Sequence, residues 1–194
     1  MIKVKKTWKE CTNKEILKIY NEVLEVAKSL YPEYFTFEPK LYIDSSTKRL
    51  GHCTWQLKKD TIMSKYGFKN NFEHLRYEDA AIILSKYVVD LKVAKRVIIH
   101  EFGHFLTPAE HHSYFWEKRT QILGEKFGEK DLKRLASIDD TEVFNKQIEI
   151  SGVKKLKVVC TGCGRIVERT RMCNIIKRPG NWKCGVCGSH FKNV

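Results

Sequence analysis

At 194 residues, with 42% hydrophobic and 30% charged side chains, the chain is too long for a disulfide-stapled mini-protein and too apolar for a disordered tail. Lys plus Arg number 36 against 23 Asp plus Glu, a formal charge of +13, and such a balance points to a polyanionic partner, nucleic acid first. No apolar run approaches the roughly 18 residues of a membrane span, and the opening MIKVKKTWKECT lacks an apolar core, so the expectation is a cytoplasmic protein with no signal peptide and no membrane contact.

In chain order, Thr12 and Glu15 fit a capping box, and Ile16, Leu17, Tyr20, Val23, Leu24 and Ala27 recur at helical spacing until Tyr31-Pro32. Lys40 to Asp44 and Gly51 to Leu57 read as short strands around the polar turn SSTKR, and Ala80 to Ser85 as a third. The stretch from Lys58 to Glu78 is polar and irregular: a lid, a groove edge or an insertion. Asp90 can cap a helix through Val93, Val97, Ile98, Phe102 and Phe105 that ends before Pro108. Another helix starts near Ser113, and a last one spans about Asp131 to Ile150 with poor periodicity near Ser137 to Asp140. Helices packed on one small sheet make an α+β class.

Within the Asp90 helix, His100-Glu101-Phe102-Gly103-His104 is an H-E-x-x-H motif. Residues four apart on a helix differ by about 40°, so both imidazoles project from one face toward a common ion. Glu101 is rotated about 100° from His100, where a carboxylate can face a water on that ion and act as general base. A catalytic zinc needs a third protein ligand and an open position. Four of the seven histidines fall between positions 100 and 112, and Glu110, His111 and His112 are the candidates just downstream. The extended metzincin pattern is excluded, because Thr107 and Glu110 stand where it needs Gly and His. Spacing alone does not choose among the three.

The runs RLGHCTW (49–55), HEFGHFL (100–106) and HHSYFW (111–116), taken together, resemble the SprT-like zinc metalloprotease domain, a group that includes bacterial SprT proteins and the eukaryotic DNA–protein crosslink protease Spartan. The resemblance implies a zincin-like fold, peptide hydrolysis, and His112 as third ligand beside His100 and His104. It also implies proteins bound or crosslinked to DNA as substrates, and hence a DNA-repair role.

Charge divides the chain near Ser151-Gly152. Residues 1–150 carry a net +4, whereas 151–194 carry a net +9 with Glu168 as their one acid. Five of the seven cysteines fall in the last 35 residues, a distribution that favours metal binding over a secreted disulfide framework. Cys160-x-x-Cys163 and Cys184-x-x-Cys187, twenty residues apart, have the spacing of a zinc ribbon, and Gly164 and Gly188 supply the tight turns after each pair. So short a segment cannot build a sufficient core, so zinc would staple it. SprT proteins are similar in carrying such a ribbon at the C-terminus. Cys173 reads as a small apolar residue on a ribbon strand, and Cys11 and Cys53 as buried hydrophobes. Arg165, Arg169, Arg171, Lys177, Arg178 and Lys183, with Trp182 among them, form a cationic face suited to phosphate contact and base stacking on single-stranded DNA.

The sequence thus predicts a protease domain over 1–150 and a basic zinc ribbon over 151–194, with two zinc ions per chain, one catalytic and one structural. The rival reading keeps ribbon and charge but makes the first domain a non-catalytic scaffold.

Overall fold

The computed structural model describes residues 7–57, 77–108, 112–130, 132, 137–153, 156–169 and 172–194. The segment 58–76, the candidate ligands Glu110 and His111, the basic residues Lys154, Lys155 and Arg171, and the expected helix start at Asp131 lie outside these. The chain forms two compact units divided between Gln147 and Ile148. It is a mixed α+β protein with, among the described residues, five α-helices and two sheets.

In the first unit, helix α1 (Lys14–Leu30) buries Ile16, Tyr20, Val23, Leu24 and Ala27, the face its periodicity predicts. Its cap is Asn13 and not Thr12: Asn13 Oδ1 accepts from the N–H groups of Glu15 and Ile16 at 3.0 and 3.2 Å. An Asx side chain one residue later takes the Glu15 N–H that Thr12 was expected to serve and adds that of Ile16.

Four strands follow the order β1-β2-β4-β3, with β1 (Lys9–Glu10), β2 (Lys40–Asp44), β3 (Gly51–Leu57) and β4 (Tyr77–Ser85). Strand β4 begins three residues earlier than its apolar run, because Tyr77 still pairs with Leu57. It is parallel to β2 and antiparallel to β3. Its central position explains why Ala80 to Leu84 are all buried and read as a continuous apolar run instead of an alternation. Strands β1 and β3 are the edges.

Helix α2 (Leu91–Leu106) packs against α1, β3, β4 and α3 (Tyr114–Glu125). Asp90 caps its start, Oδ1 accepting from Lys92 and Val93 N–H at 2.9 Å each. Ile98, Ile99, Phe102, Phe105 and Leu106 are fully buried, each worth roughly 1.5–3 kcal/mol. The end of α2 is closed with unusual completeness. Gly103 carbonyl accepts from Thr107 Oγ1 at 2.7 Å, and His104 carbonyl from Thr107 N–H at 3.4 Å. The hydroxyl of Tyr77, whose ring stacks on Phe105 at 4.4 Å, donates to the Phe105 carbonyl, and Arg119 of α3 donates to that of Leu106. All four carbonyls of the last turn are therefore satisfied, and the helix stops where they are.

Two glycines allow the close contacts of α2. A Cβ at Gly51 would meet Val97 Cγ1 at 2.6 Å, so β3 lies directly on the helix. A Cβ at Gly103 would meet Trp116 Nε1 at 2.8 Å and overlap Thr120 Oγ1, so this residue of the motif is where α3 crosses. Helix α4 (Ile138–Ile150) starts within the poorly periodic stretch, where Ser137 Oγ accepts from Asp140 N–H at 3.0 Å. Asp140 is buried and accepts from Nε and Nη2 of the Arg96 guanidinium, tying α4 to α2.

The second unit is a three-stranded antiparallel sheet of order β6-β5-β7, with β5 (Leu156–Cys160), β6 (Ile166–Arg169) and β7 (Phe191–Asn193). A one-turn helix, α5 (Asn174–Lys177), interrupts the expected all-β ribbon. Cys173 sits at the start of that helix and not on a strand, packed partly buried against a small core of Val158, Cys160, Ile176, Cys184 and Phe191. Among the described residues, no helix is long and apolar enough to cross a membrane.

The Gly103 contact yields a prediction of unusual sign. Gly103→Ala should gain about 1 kcal/mol of helix propensity yet lose net stability, because overpacking against α3 costs typically 1–3 kcal/mol. Urea unfolding checks it, with Gly180→Ala, whose Cβ would enter open space, as the neutral comparison; a raised midpoint for Gly103→Ala counts against the close packing.

Candidate metal centres

Helix α2 and the turn into α3 bring His100, His104 and His112 together. One ligand nitrogen from each lies within 4.8 Å of the others. His100 Nε2 and His112 Nε2 are 3.3 Å apart. A tetrahedral ion with bonds of about 2.0–2.1 Å to nitrogen demands a separation of about 3.3–3.4 Å between its ligands, so this donor set fits a zinc ion. Among the described residues His112 is the one non-glycine with positive φ, at 48°, a left-handed conformation costing on the order of 1–3 kcal/mol. It immediately precedes Ser113, whose Oγ accepts from Trp116 N–H at 3.3 Å and starts α3. The strained residue thus stands immediately before α3, with its imidazole against those of His100 and His104.

Glu101 lies on the same helix but is rotated toward β3, and it is only 5% exposed. Its Oε1 would lie 3.2 Å from a Cβ at Gly51, and the backbone N–H of Cys53 donates to its carboxylate. Without an ion, burial pushes this carboxyl up to about 8, while the Cys53 N–H and the charge of Arg49 pull the other way. A nearby cation favours the charged form further. Cys53 is held well above an ordinary thiol by burial and then by the charge of Glu101, which leaves it protonated and a poor nucleophile. The RLGHCTW run therefore contributes backbone: Gly51 gives clearance and Cys53 gives an N–H. Sequence reasoning placed this strand near the site without identifying that hydrogen bond, which no side-chain pattern encodes.

In the ribbon, Cys160, Cys163, Cys184 and Cys187 offer sulfurs that all lie within 4.8 Å of one another. Cys160 and Cys187 are 3.3 Å apart and Cys163 and Cys184 3.7 Å, against about 3.8 Å for a tetrahedral ion with bonds of about 2.3 Å to sulfur. The two knuckles repeat one hydrogen-bond plan. Cys160 and Cys184 N–H donate to the carbonyls of Arg165 and Ser189 at 2.9 and 2.8 Å; Gly164 and Gly188 N–H return to the carbonyls of Cys160 and Cys184 at 3.1 and 2.8 Å. Gly164 and Gly188 have φ of 72° and 73°, a conformation that penalises any Cβ. The cluster divides: the Ser189 N–H and then Cys160 pull Cys187 down to about 6 and the N–H groups of Val186 and Cys187 lower Cys184, whereas Cys163, in spite of the Arg165 N–H, is pushed up to about 11 by its hydrogen bonds with Cys187 and Cys160. Both clusters could hold a metal ion, and their donor sets suit zinc.

Arg165, Arg169, Lys177, Arg178 and Lys183 are exposed on the ribbon. Trp182 is 46% exposed and, with Lys177, Arg178, Asn174 and Asn181, lines an open cavity of about 460 Å³. The other tryptophans differ: Trp8 and Trp116 are buried, whereas Trp55 is half-buried on edge strand β3.

Comparison with known proteins adds an independent likeness. The chain is 28% identical over 97 residues to the protein SprT-like of two Streptococcus suis strains, 05ZYH33 and 98HAH33. The match covers 50% of this chain and 57% of each relative, so the chain spans little more than half the length of the curated proteins it resembles. No family model and no solved structure matches. The chain is thus similar to SprT-like proteins over half its length.

Proposed function

We propose that the chain is a zinc-dependent endopeptidase of SprT type, with a zincin-like catalytic domain over residues 1–150 and a basic zinc ribbon over 151–194 that engages nucleic acid. The observation that carries this reading is the convergence of His100, His104 and His112 beside a buried carboxylate on the same helix. A structural site needs the imidazoles but has no use for Glu101.

In this reading His100, His104 and His112 hold the catalytic ion, and the four ribbon cysteines hold a structural one. A bound zinc supplies Lewis acidity, polarising a carbonyl and bringing the pKa of a water down to about 7. Glu101 takes the proton of the attacking water on a carboxylate oxygen and delivers it to the leaving amine nitrogen. The Cys53 N–H keeps that carboxylate fixed and favours its charged form. Among the described residues, β3 pairs with β4 alone, so its outer edge offers N–H and C=O groups to an extended peptide beside Glu101. Edge pairing supports a polypeptide over a non-peptide substrate.

The ribbon supports a nucleic-acid role by its charge and by Trp182. A base can stack on the indole while Lys177 and Arg178 meet phosphates, a combination suited to single-stranded DNA. Proteins bound or crosslinked to DNA are then the substrate class, and the setting is DNA repair in the cytoplasm.

Metal content comes first among the tests: the purified chain should hold two zinc ions, His112→Ala one, and Cys163→Ser with Cys187→Ser one. Glu101→Gln should retain both while cleavage of a protein bound to single-stranded DNA falls about 10²–10⁴-fold, the usual contribution of a general base. Undiminished cleavage by that variant would falsify the mechanism; zinc-loaded wild type that binds DNA yet never cleaves leaves the non-catalytic reading. For the ribbon, Lys177→Glu with Arg178→Glu should weaken oligothymidine binding and flatten its salt dependence, by about 0.7 in log–log slope for each phosphate no longer neutralised. An unchanged slope removes these two residues from the interface.

A further inference from the structure

The imidazoles of the histidine cluster share one neighbour that is neither ligand nor base. The Trp116 indole, 1% exposed, lies edge-on or tilted against His100, His104 and His112, with ring centroids 4.8, 5.4 and 4.6 Å away. Among the described residues, no other aromatic ring outside the cluster lies against all three. Among the described residues the buried indole Nε1 has no hydrogen-bond partner, nor does Thr120 Oγ1 one turn on, and both face Gly103. A buried donor without a protein partner is unfavourable, so filling space alone does not favour a tryptophan here. A flat ring touching three ligands at once offers a return that leucine or methionine, with their rotamer freedom, cannot.

We infer that Trp116 is a positioning residue, a rigid aromatic floor that holds His100, His104 and His112 in the arrangement that receives the metal before the metal arrives. The inference rests on the reading of these three histidines as zinc ligands. Three features combine to make the floor. Gly103 removes the side chain that would push α3 away, as the 2.8 Å approach of Trp116 Nε1 to its absent Cβ requires. The Ser113 cap, accepting from Trp116 N–H at 3.3 Å, locks the first turn of α3 on which the indole stands. The positive φ of His112 then folds the third imidazole down onto the ring. Each histidine side chain has two free torsions in solution, and a shared wall restricts them together, so less ordering remains to be done when an ion binds. Residues that orient metal ligands from behind typically contribute about 10–100-fold in metal affinity.

The experiment uses the full chain with its ribbon ions as an internal reference. Zinc affinity of the histidine site is measured by chelator competition, and cobalt is substituted there to read coordination from the intensity of its visible absorption. Trp116→Leu should fold, shown by far-ultraviolet circular dichroism, yet bind zinc at the histidine site about 10–100-fold more weakly, with a fainter and shifted cobalt spectrum. The ribbon site should be unchanged. Trp116→Phe keeps a flat ring and should stay within about threefold of wild type. If Trp116→Leu does not fold, Trp116→Met takes its place with the same expectation. Wild-type affinity and spectrum in the leucine or methionine variant, or a loss in the phenylalanine variant as large as theirs, overturns the inference. Should wild type itself bind no metal at the histidines, the proposed function fails instead, a separate outcome.

Discussion

A helix can present two ligands to one ion but not a third at the right angle, so the chain must leave the helix and come back. In the proposed reading that constraint governs the first unit. Helix α2 stops after Leu106 because its last four carbonyls are taken, by Thr107 twice and by Tyr77 and Arg119 from other elements. His112 stands at the head of α3 in a conformation that few side chains accept. Tyr77 belongs to β4 and Arg119 to α3, so sheet and helices jointly fix the point at which α2 ends.

The same economy shows in how tightly the neighbours of α2 approach. Gly51 brings β3 onto one side and Gly103 brings α3 onto another. Between them sits Glu101, nearly excluded from water, with a backbone donor as its anchor. Burial alone would keep the carboxyl protonated; the Cys53 N–H, the Arg49 charge and any cation nearby act in the opposite sense. The state of this group is set by a balance of neighbours and not by its own chemistry.

Much of this was legible in the residues. The α2 helix, its Asp90 cap, the Ser113 start of α3 and the spacing of both ligand clusters follow from periodicity and short-range chemistry, which sequence records directly. His112 was reached by resemblance and not by spacing, since Glu110 and His111 were equally near. What sequence did not carry was tertiary. The cap moved from Thr12 to Asn13 because two residues with similar side chains competed for the same donors. Strand β4 gained Tyr77 through pairing with β3, and α5 formed in the ribbon where a strand was expected. The Cys53 N–H left no trace at all, because every residue but proline has one. The halves of the ribbon, by contrast, repeat a plan of glycine and cysteine that is visible letter by letter.

The three clustered histidines are at most twelve positions apart, while the anchor of Glu101 comes from a strand far upstream. Closing a short loop is entropically cheap, whereas β3 reaches its place only after pairing with β4 across a long intervening segment. By loop closure alone the three imidazoles can gather before β3 is paired, whereas the anchor of Glu101 needs that pairing first. Assembling the imidazoles and seating the carboxylate are separate demands on this fold, and meeting the first does not report the second.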